Sequence, residues 1–201
     1  MKRILIVYNT VSGSTADMAE IIREELSGIC HVELVPVSQS PDAGAYDAVI
    51  VGSPMRFGGL SRPVRKYISG NCKRLAETDV FIYMSLLYIV HLEGESIPTE
   101  GVYVDPSFGM KRLSRKEATL FDRKHSLGYY RSLVSEMAGG LMCQSLGFFQ
   151  GRLVVSGLSF LPRLFMRIII RLTAKEREGD FFHPDAVREW TRQISARWVD
   201  A

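Results

Sequence analysis

The chain has 201 residues, of which 46% are hydrophobic and 23% charged, which is enough for one domain over residues 1–201. Its 25 basic and 22 acidic residues leave a formal charge of +3, too small to indicate a nucleic-acid partner. The apolar run near the N-terminus is too short for a secretory signal, and no apolar stretch reaches the length of about 18 residues typical of a membrane-spanning helix. Because Cys30, Cys72 and Cys143 have no metal-ligand spacing, we expect reduced thiols in a cytoplasmic protein.

The first predicted strand, residues 4–7, is separated from the first predicted helix, residues 16–26, by a turn rich in hydroxyl groups. The first N–H groups of a helix have no intrahelical partner, and the helix dipole favours an anion there. The turn lacks lysine and arginine, and it matches neither the Walker pattern nor the dinucleotide pattern. It therefore predicts a phosphate site of amides and hydroxyls without a nearby cation; the alternative is a plain helix start capped by Ser14 or Thr15. The candidate ligand-binding residues are Thr10, Val11, Ser12, Gly13, Ser14 and Thr15.

Further along the chain, apolar runs alternate with segments of helical period. The predicted strands are residues 31–37, 48–52, 80–84 and 143–149. One predicted helix begins after Ser61, and two others span residues 126–138 and 184–198. In the last of these helices Trp190 is expected to anchor the core. This order predicts an α/β fold, a three-layer, doubly wound, five-stranded parallel sheet. In such sheets ligands bind beyond the carboxyl ends of the strands, so the turns after strands one, three and four are expected to converge.

The turn after strand three contains glycines and two large side chains that can lie against a flat ring. The candidates in this turn are Ser53, Pro54, Met55, Arg56, Phe57 and Gly58. The turn after strand four contains Ser85, Leu86 and Tyr88. The alternatives are that Phe57 belongs to the core, that Arg56 is a solvated surface charge, and that Tyr88 is simply packed.

The T-x-[ST]-G-x-T pattern of Thr10 to Thr15 resembles the FMN phosphate loop of the flavodoxin superfamily. The resemblance implies non-covalently bound FMN and a backbone group at Gly58 that responds to the redox state of the flavin. It also implies a third loop at the pyrimidine edge, with Ser85, Leu86 and Tyr88 as its candidate contacts. The sequence Arg56-Phe57-Gly58 is similar to the second loop of flavodoxin-type, quinone-linked protoporphyrinogen oxidases. This implies an FMN-dependent oxidoreductase acting on a porphyrinogen or a quinone. The alternatives are an electron carrier that docks on redox protein partners and an interaction module that has lost FMN.

Residues 89–124 depart from the family and show no sustained period, which predicts an insertion that covers the flavin or selects the substrate. Within it we expect a short strand at residues 102–104 and a helical turn within residues 115–121. His91, Glu93 and Glu95 alternate as metal ligands do, but without a second His or Cys cluster a solvated strand edge is favoured, and we expect no metal.

Three arginines near the C-terminus, Arg163, Arg167 and Arg171, are spaced by four residues beside an apolar surface. A basic amphipathic helix of this kind can lie on an anionic membrane surface, which predicts a cytoplasmic protein in peripheral contact with the inner face of a membrane. The alternative is a helix packed on the sheet with its arginines in water. The related oxidases carry a basic insertion at this point, although their Tyr-Arg pairs are missing here.

Overall fold

The computed structural model describes residues 1–56, 59–96, 100–137, 141–153 and 179–199. The strands are β1 (Arg3–Tyr8), β2 (His31–Pro36), β3 (Ala48–Arg56), β4 (Gly59–Leu60), β5 (Asp79–Leu86), β6 (Val90–Leu92), β7 (Val102–Val104), β8 (Lys111–Leu113), β9 (Cys143–Gln150), β10 (Arg152–Leu153) and β11 (Gly179–Asp180). The helices are α1 (Ser14–Leu26), α2 (Arg62–Gly70), α3 (Cys72–Leu75), α4 (Leu120–Arg123), α5 (Leu127–Met137) and α6 (Pro184–Val199).

The main sheet has the strand order β2-β1-β3-β5-β9-β7, and each neighbouring pair along this path is parallel. The middle strands β1, β3 and β5 consist of continuous apolar runs because both of their faces are covered. Residues Ile4 to Val7, for example, are completely buried. The predicted doubly wound parallel fold is thus confirmed.

Helices cover both faces of the sheet. One face packs against α2 and α5, with Val64 and Tyr130 in its core. The other packs against α1 and α6, with Ile22 and Trp190 in its core. Trp190 is fully buried, and its Nε1 donates to Ser145 Oγ at 2.9 Å, so the prediction that it anchors the core is confirmed.

The insertion contributes a sixth parallel strand. The short strand expected at residues 102–104 is present as β7, and it pairs with β9 through Val102–Leu146 and Val104–Phe148. It covers the outer edge of β9, whose backbone groups would otherwise be left unpaired. The parallel part of the sheet therefore has six strands and not the five expected, and β4, antiparallel to β3, is its seventh strand.

The rest of the described insertion is also ordered. Strands β6 and β8 pair in parallel, and α4 begins at Leu120 with a capping box between Thr119 and Asp122. This cap explains why the helical turn lies later than expected. The Glu95 carboxylate accepts hydrogen bonds from Leu92 N and Ser126 Oγ, and in the described ranges no cluster of His, Cys, Asp and Glu is suited to a metal ion.

The described helices include none that is long and apolar enough to cross a membrane. Arg163, Arg167 and Arg171 lie outside the described residues, so the predicted basic stripe has no structural account here.

Candidate functional site

The turn after β1 brings Gly13 to the start of α1 in a backbone conformation that favours glycine. Gly13 is the N-cap residue, with φ of 92° and ψ of −35°, and its carbonyl accepts from the N–H groups of Ala16 and Asp17 at 2.9 and 3.0 Å. Within the described part of the chain no side chain caps this helix. Ser14 and Thr15 belong to the first turn of the helix, so the alternative that one of them is the N-cap is wrong.

The geometry of this turn fits an anion such as phosphate. Thr10 Oγ1 accepts from Gly13 N at 3.1 Å and folds the turn back towards the helix start. Since α1 begins at Ser14, the N–H groups of Ser14 and Thr15 have no carbonyl partner within the helix. Val11 is half exposed at the outer side of the turn. Backbone N–H groups and hydroxyls at a helix N-terminus are the usual donors for a phosphate.

A cation lies beside this turn, although the nearby sequence contains none. A Cβ built on Gly13 would lie only 3.1 Å from Arg152 Nη1. Ser12 Oγ also donates to the Arg152 carbonyl at 2.7 Å. The expectation of a phosphate loop without a nearby cation is therefore wrong, because Arg152 reaches the loop from a distant part of the chain.

Two carboxylates hold the Arg152 side chain in place. Its Nη1 lies 2.8 Å from Asp17 Oδ2, and its Nε lies 2.9 Å from Asp180 Oδ2. Burial lowers the pKa of this guanidinium, but the hydrogen bonds to Asp17 and Asp180 outweigh that effect and raise the pKa above its ordinary value. Arg152 thus carries a permanent positive charge at the turn.

The first and third predicted loops are joined by buried hydrogen bonds. Thr15 Oγ1 and Ser85 Oγ are 2.8 Å apart, and Tyr83 Oη donates to the Thr15 carbonyl at 3.0 Å. A Cβ on Gly52 would lie 2.2 Å from the Tyr83 ring, so glycine is required in the middle of β3 for this ring to fit. Burial raises the pKa of Tyr83 well above its ordinary value, and the hydroxyl stays protonated as a donor. The sequence reading missed Tyr83.

Strand β3 is longer than predicted: it runs to Arg56 and not to residue 52, so it includes the start of the predicted second loop. Strand β3 turns back into β4, with Met55 opposite Leu60. Ser53 is fully buried, and its Oγ accepts from Ser61 N at 3.0 Å, so this hydroxyl fastens the turn to the start of α2. Pro54 is buried beside Ser85, whereas Met55 is partly buried against the core.

Arg56 ends β3, and Phe57 and Gly58 lie outside the described residues. The cofactor contacts expected of these three residues, and of Ser53, Pro54 and Met55, stay predictions.

The third loop leads from β5 directly into the insertion. Ser85 and Leu86 are buried, and the Leu86 carbonyl accepts from Gly151 N at 3.0 Å. Tyr88 is half-buried; its hydroxyl donates to Asp122 Oδ1 at 2.7 Å, and its ring centroid lies 5.6 Å from that of Phe121. Burial, reinforced by the hydrogen bond to Asp122, raises the pKa of Tyr88. The structure thus places Tyr88 against the insertion, and its role at a flavin stays a prediction.

Comparison with known proteins agrees with this arrangement. Residues 5–180 match the flavodoxin domain family, so the chain belongs to that family. This membership supports FMN as the cofactor. A comparison with curated protein sequences finds no match.

Three solved structures are among those similar to this chain. A short-chain flavodoxin associated with a non-canonical PDU bacterial microcompartment is 10% identical, with 98% of this chain and 99% of that chain covered and a TM-score of 0.51. Oxidised flavodoxin 1 from Bacillus cereus is 13% identical, with coverages of 99% and 98% and a TM-score of 0.48. The FMN-bound flavodoxin from Fusobacterium nucleatum is 14% identical, with coverages of 98% and 99% and a TM-score of 0.42. At these identities the likeness concerns the fold alone.

Proposed function

We propose that this chain is an FMN-dependent oxidoreductase of the flavodoxin family that acts on a porphyrinogen or a quinone. The observation that carries the FMN assignment is the Gly13 turn at the start of α1, joined to the end of β5 by the Thr15–Ser85 contact. This contact brings two of the three predicted loops to one edge of the sheet, where ligands of doubly wound folds bind.

Within this proposal, each loop has a distinct part in holding the cofactor. The backbone N–H groups after Gly13 and the hydroxyl of Thr10 hold the phosphate, and the turn containing Met55 to Gly58 lies along the flavin ring. Ser85 supports the phosphate turn through its hydrogen bond with Thr15, and Tyr88 lies towards the pyrimidine edge of the flavin. When bound, FMN supplies one- and two-electron redox chemistry, while the protein supplies binding, orientation and tuning of the potential.

The ordered insertion favours an enzyme over a plain carrier. Strands β6 and β8 with α4 follow the third loop directly, and the Tyr88–Asp122 hydrogen bond ties that loop to α4. We propose that this insertion covers the flavin and selects a bulky apolar or anionic substrate. The formal charge of +3 points the same way, since acidic carriers usually dock on basic partners.

The second candidate is an electron carrier that docks on redox protein partners, which membership of the flavodoxin domain family supports equally well. The enzyme proposal includes a cytoplasmic location, which rests on the cysteine pattern. It also includes membrane contact through Arg163, Arg167 and Arg171, which rests on the spacing of these arginines beside an apolar surface. Liposome binding by the wild type, reduced when all three are changed to glutamate, is the matching test.

The experiment begins with purified protein loaded with FMN and checked by its flavin absorbance. We expect turnover in at least one of two assays: reduction of a quinone by NAD(P)H, or anaerobic oxidation of protoporphyrinogen with a quinone as acceptor. The variant Tyr88→Phe, which loses the hydrogen bond to Asp122, is expected to raise KM, because the insertion is then no longer tied to the third loop by this bond. A loaded protein without turnover in either assay, whose reduced form transfers electrons to a redox protein, identifies the carrier instead. A protein that cannot retain added FMN refutes both.

A further inference from the structure

The chain returns to the phosphate turn after β9. Gly151 follows β9, and β10 pairs antiparallel with β11, with Arg152 opposite Asp180. Phe181 N donates to the Gly151 carbonyl at 3.2 Å, and a Cβ on Gly151 would lie 3.2 Å from Ser14 Oγ. The short β10–β11 ladder is therefore packed directly against the start of α1.

This packing ties Arg152 both to the phosphate turn and to the first turn of α1. Its carbonyl accepts from Ser12 Oγ at 2.7 Å, its Nη1 binds Asp17 Oδ2 at 2.8 Å, and the same Nη1 is 3.1 Å from a Cβ built on Gly13. The Nε of the same guanidinium donates to Asp180 Oδ2 at 2.9 Å. The side chain is only 24% exposed, so its position is defined by these contacts.

The charged groups around the turn include two carboxylates, so the positive charge of Arg152 matters for binding an anion there. Residues 8–15 contain no lysine or arginine, whereas Asp17 lies in the first turn of α1 and Asp180 beside it on β11. Without the guanidinium, two carboxylates would be left without this partner next to a bound phosphate. Repulsion between neighbouring like charges is stronger at a partly buried site than in water.

We propose that Arg152 makes this site selective for FMN over riboflavin, an inference that rests on the proposed FMN binding. The guanidinium supplies a positive charge that residues 8–15 lack. It offsets one of the two negative charges of Asp17 and Asp180, so a phosphate beside Gly13 is repelled less strongly. Riboflavin has the same ring system without the phosphate, so its binding does not depend on this charge.

The test measures the dissociation constants of FMN and riboflavin by quenching of flavin fluorescence, for the wild type and for Arg152→Met. Methionine keeps much of the aliphatic length but removes the charge. We expect the affinity for FMN to fall about tenfold, equivalent to about 1.4 kcal/mol, while the affinity for riboflavin stays unchanged. The dependence of FMN affinity on ionic strength is also expected to become weaker in the variant.

The matched control is Arg74→Met. Arg74 also forms an ion pair with an aspartate, Asp42, but it lies in α3, before the amino end of β5. Because the proposed site is at the carboxyl ends of the strands, this variant is expected to bind both flavins as the wild type does. Adding Asp17→Asn and Asp180→Asn to Arg152→Met is expected to recover part of the FMN affinity, because the repulsion is removed.

Two results overturn the inference: equal losses for FMN and riboflavin, which indicate a purely structural role, or no loss for either. If Arg152→Met does not fold, Arg152→Gln reports on the same selectivity, since its amide keeps a hydrogen bond to an aspartate. A wild-type protein that binds neither flavin overturns the proposed FMN function itself, which is a distinguishable outcome.

Discussion

Replacement of Gly13 by alanine tests the phosphate turn directly. Gly13 has φ of 92° and ψ of −35°, and residues other than glycine are held in such conformations at a cost of about 1–3 kcal/mol. The new Cβ would also lie 3.1 Å from Arg152 Nη1, so the end of that side chain has to shift. If the free Gly13→Ala protein relaxes the turn, FMN binding has to restore it. The same 1–3 kcal/mol then weakens FMN affinity by about 5- to 150-fold.

The assay combines titration of FMN with thermal unfolding of the protein, and the chain offers two matched glycines. Gly94 in the insertion has φ of 82° with no atom near a built Cβ, so Gly94→Ala is expected to lose stability but keep its FMN affinity. Gly28 has open space around its Cβ position and no positive φ, so Gly28→Ala is expected to retain both properties. Wild-type FMN affinity in Gly13→Ala would refute our assignment of this turn to the phosphate.

The further predictions concern three residues outside the phosphate turn. Among the described residues the buried Tyr67 hydroxyl has no hydrogen-bond partner, so Tyr67→Phe is expected to raise the free energy of unfolding by about 1 kcal/mol and Tm by about 2–4 °C. Burial raises the pKa of Tyr67 to about 12, whereas the phenol of the unfolded chain ionises near pH 10. The wild type therefore loses stability as the pH rises from about 10 to about 12. In urea titrations over this pH range, the free energy of unfolding of Tyr67→Phe is expected to fall less steeply than that of the wild type. Burial likewise raises the pKa of the Cys143 thiol to about 12. Iodoacetamide at pH 8 is therefore expected to label the exposed Cys72 well before Cys143. Comparable labelling rates of the two thiols, measured by mass spectrometry, would contradict this. Asp122→Ala removes part of the capping box of α4 and the acceptor of the hydrogen bond from the Tyr88 hydroxyl. It is expected to lower the free energy of unfolding by about 1–3 kcal/mol. An unchanged urea midpoint would count against an ordered insertion.

Local patterns in the sequence were sufficient for most of the fold. The apolar runs of β1 and β3 are visible because both faces of these strands are buried, and that leaves no polar alternation. The apolar face of α6 is visible because Val187, Trp190 and Ile194 recur with the period of a helix. The turn before α1 was located for the same reason, since it lies between two elements whose patterns are strong.

Contacts between distant parts of the chain had no such local signal. Ser53 has the appearance of a loop residue, yet it is buried against Ser61, because β3 continues past the point where its apolar run ends. Likewise, residues 102–104 were expected to form a strand, but their pairing with β9 depends on which edge of the sheet remains open.

The amino-acid sequence by itself determined the parallel α/β architecture and the position of the turn before α1, because buried strands, helical periods and helix starts are local properties. Only the tertiary structure decided which groups surround that turn. Thr15 meets Ser85 across 70 residues, and Asp17 meets Arg152 across 135. The strand order and the return of the chain through β10 create these contacts, so the charge beside Gly13 becomes apparent only when the sheet is assembled.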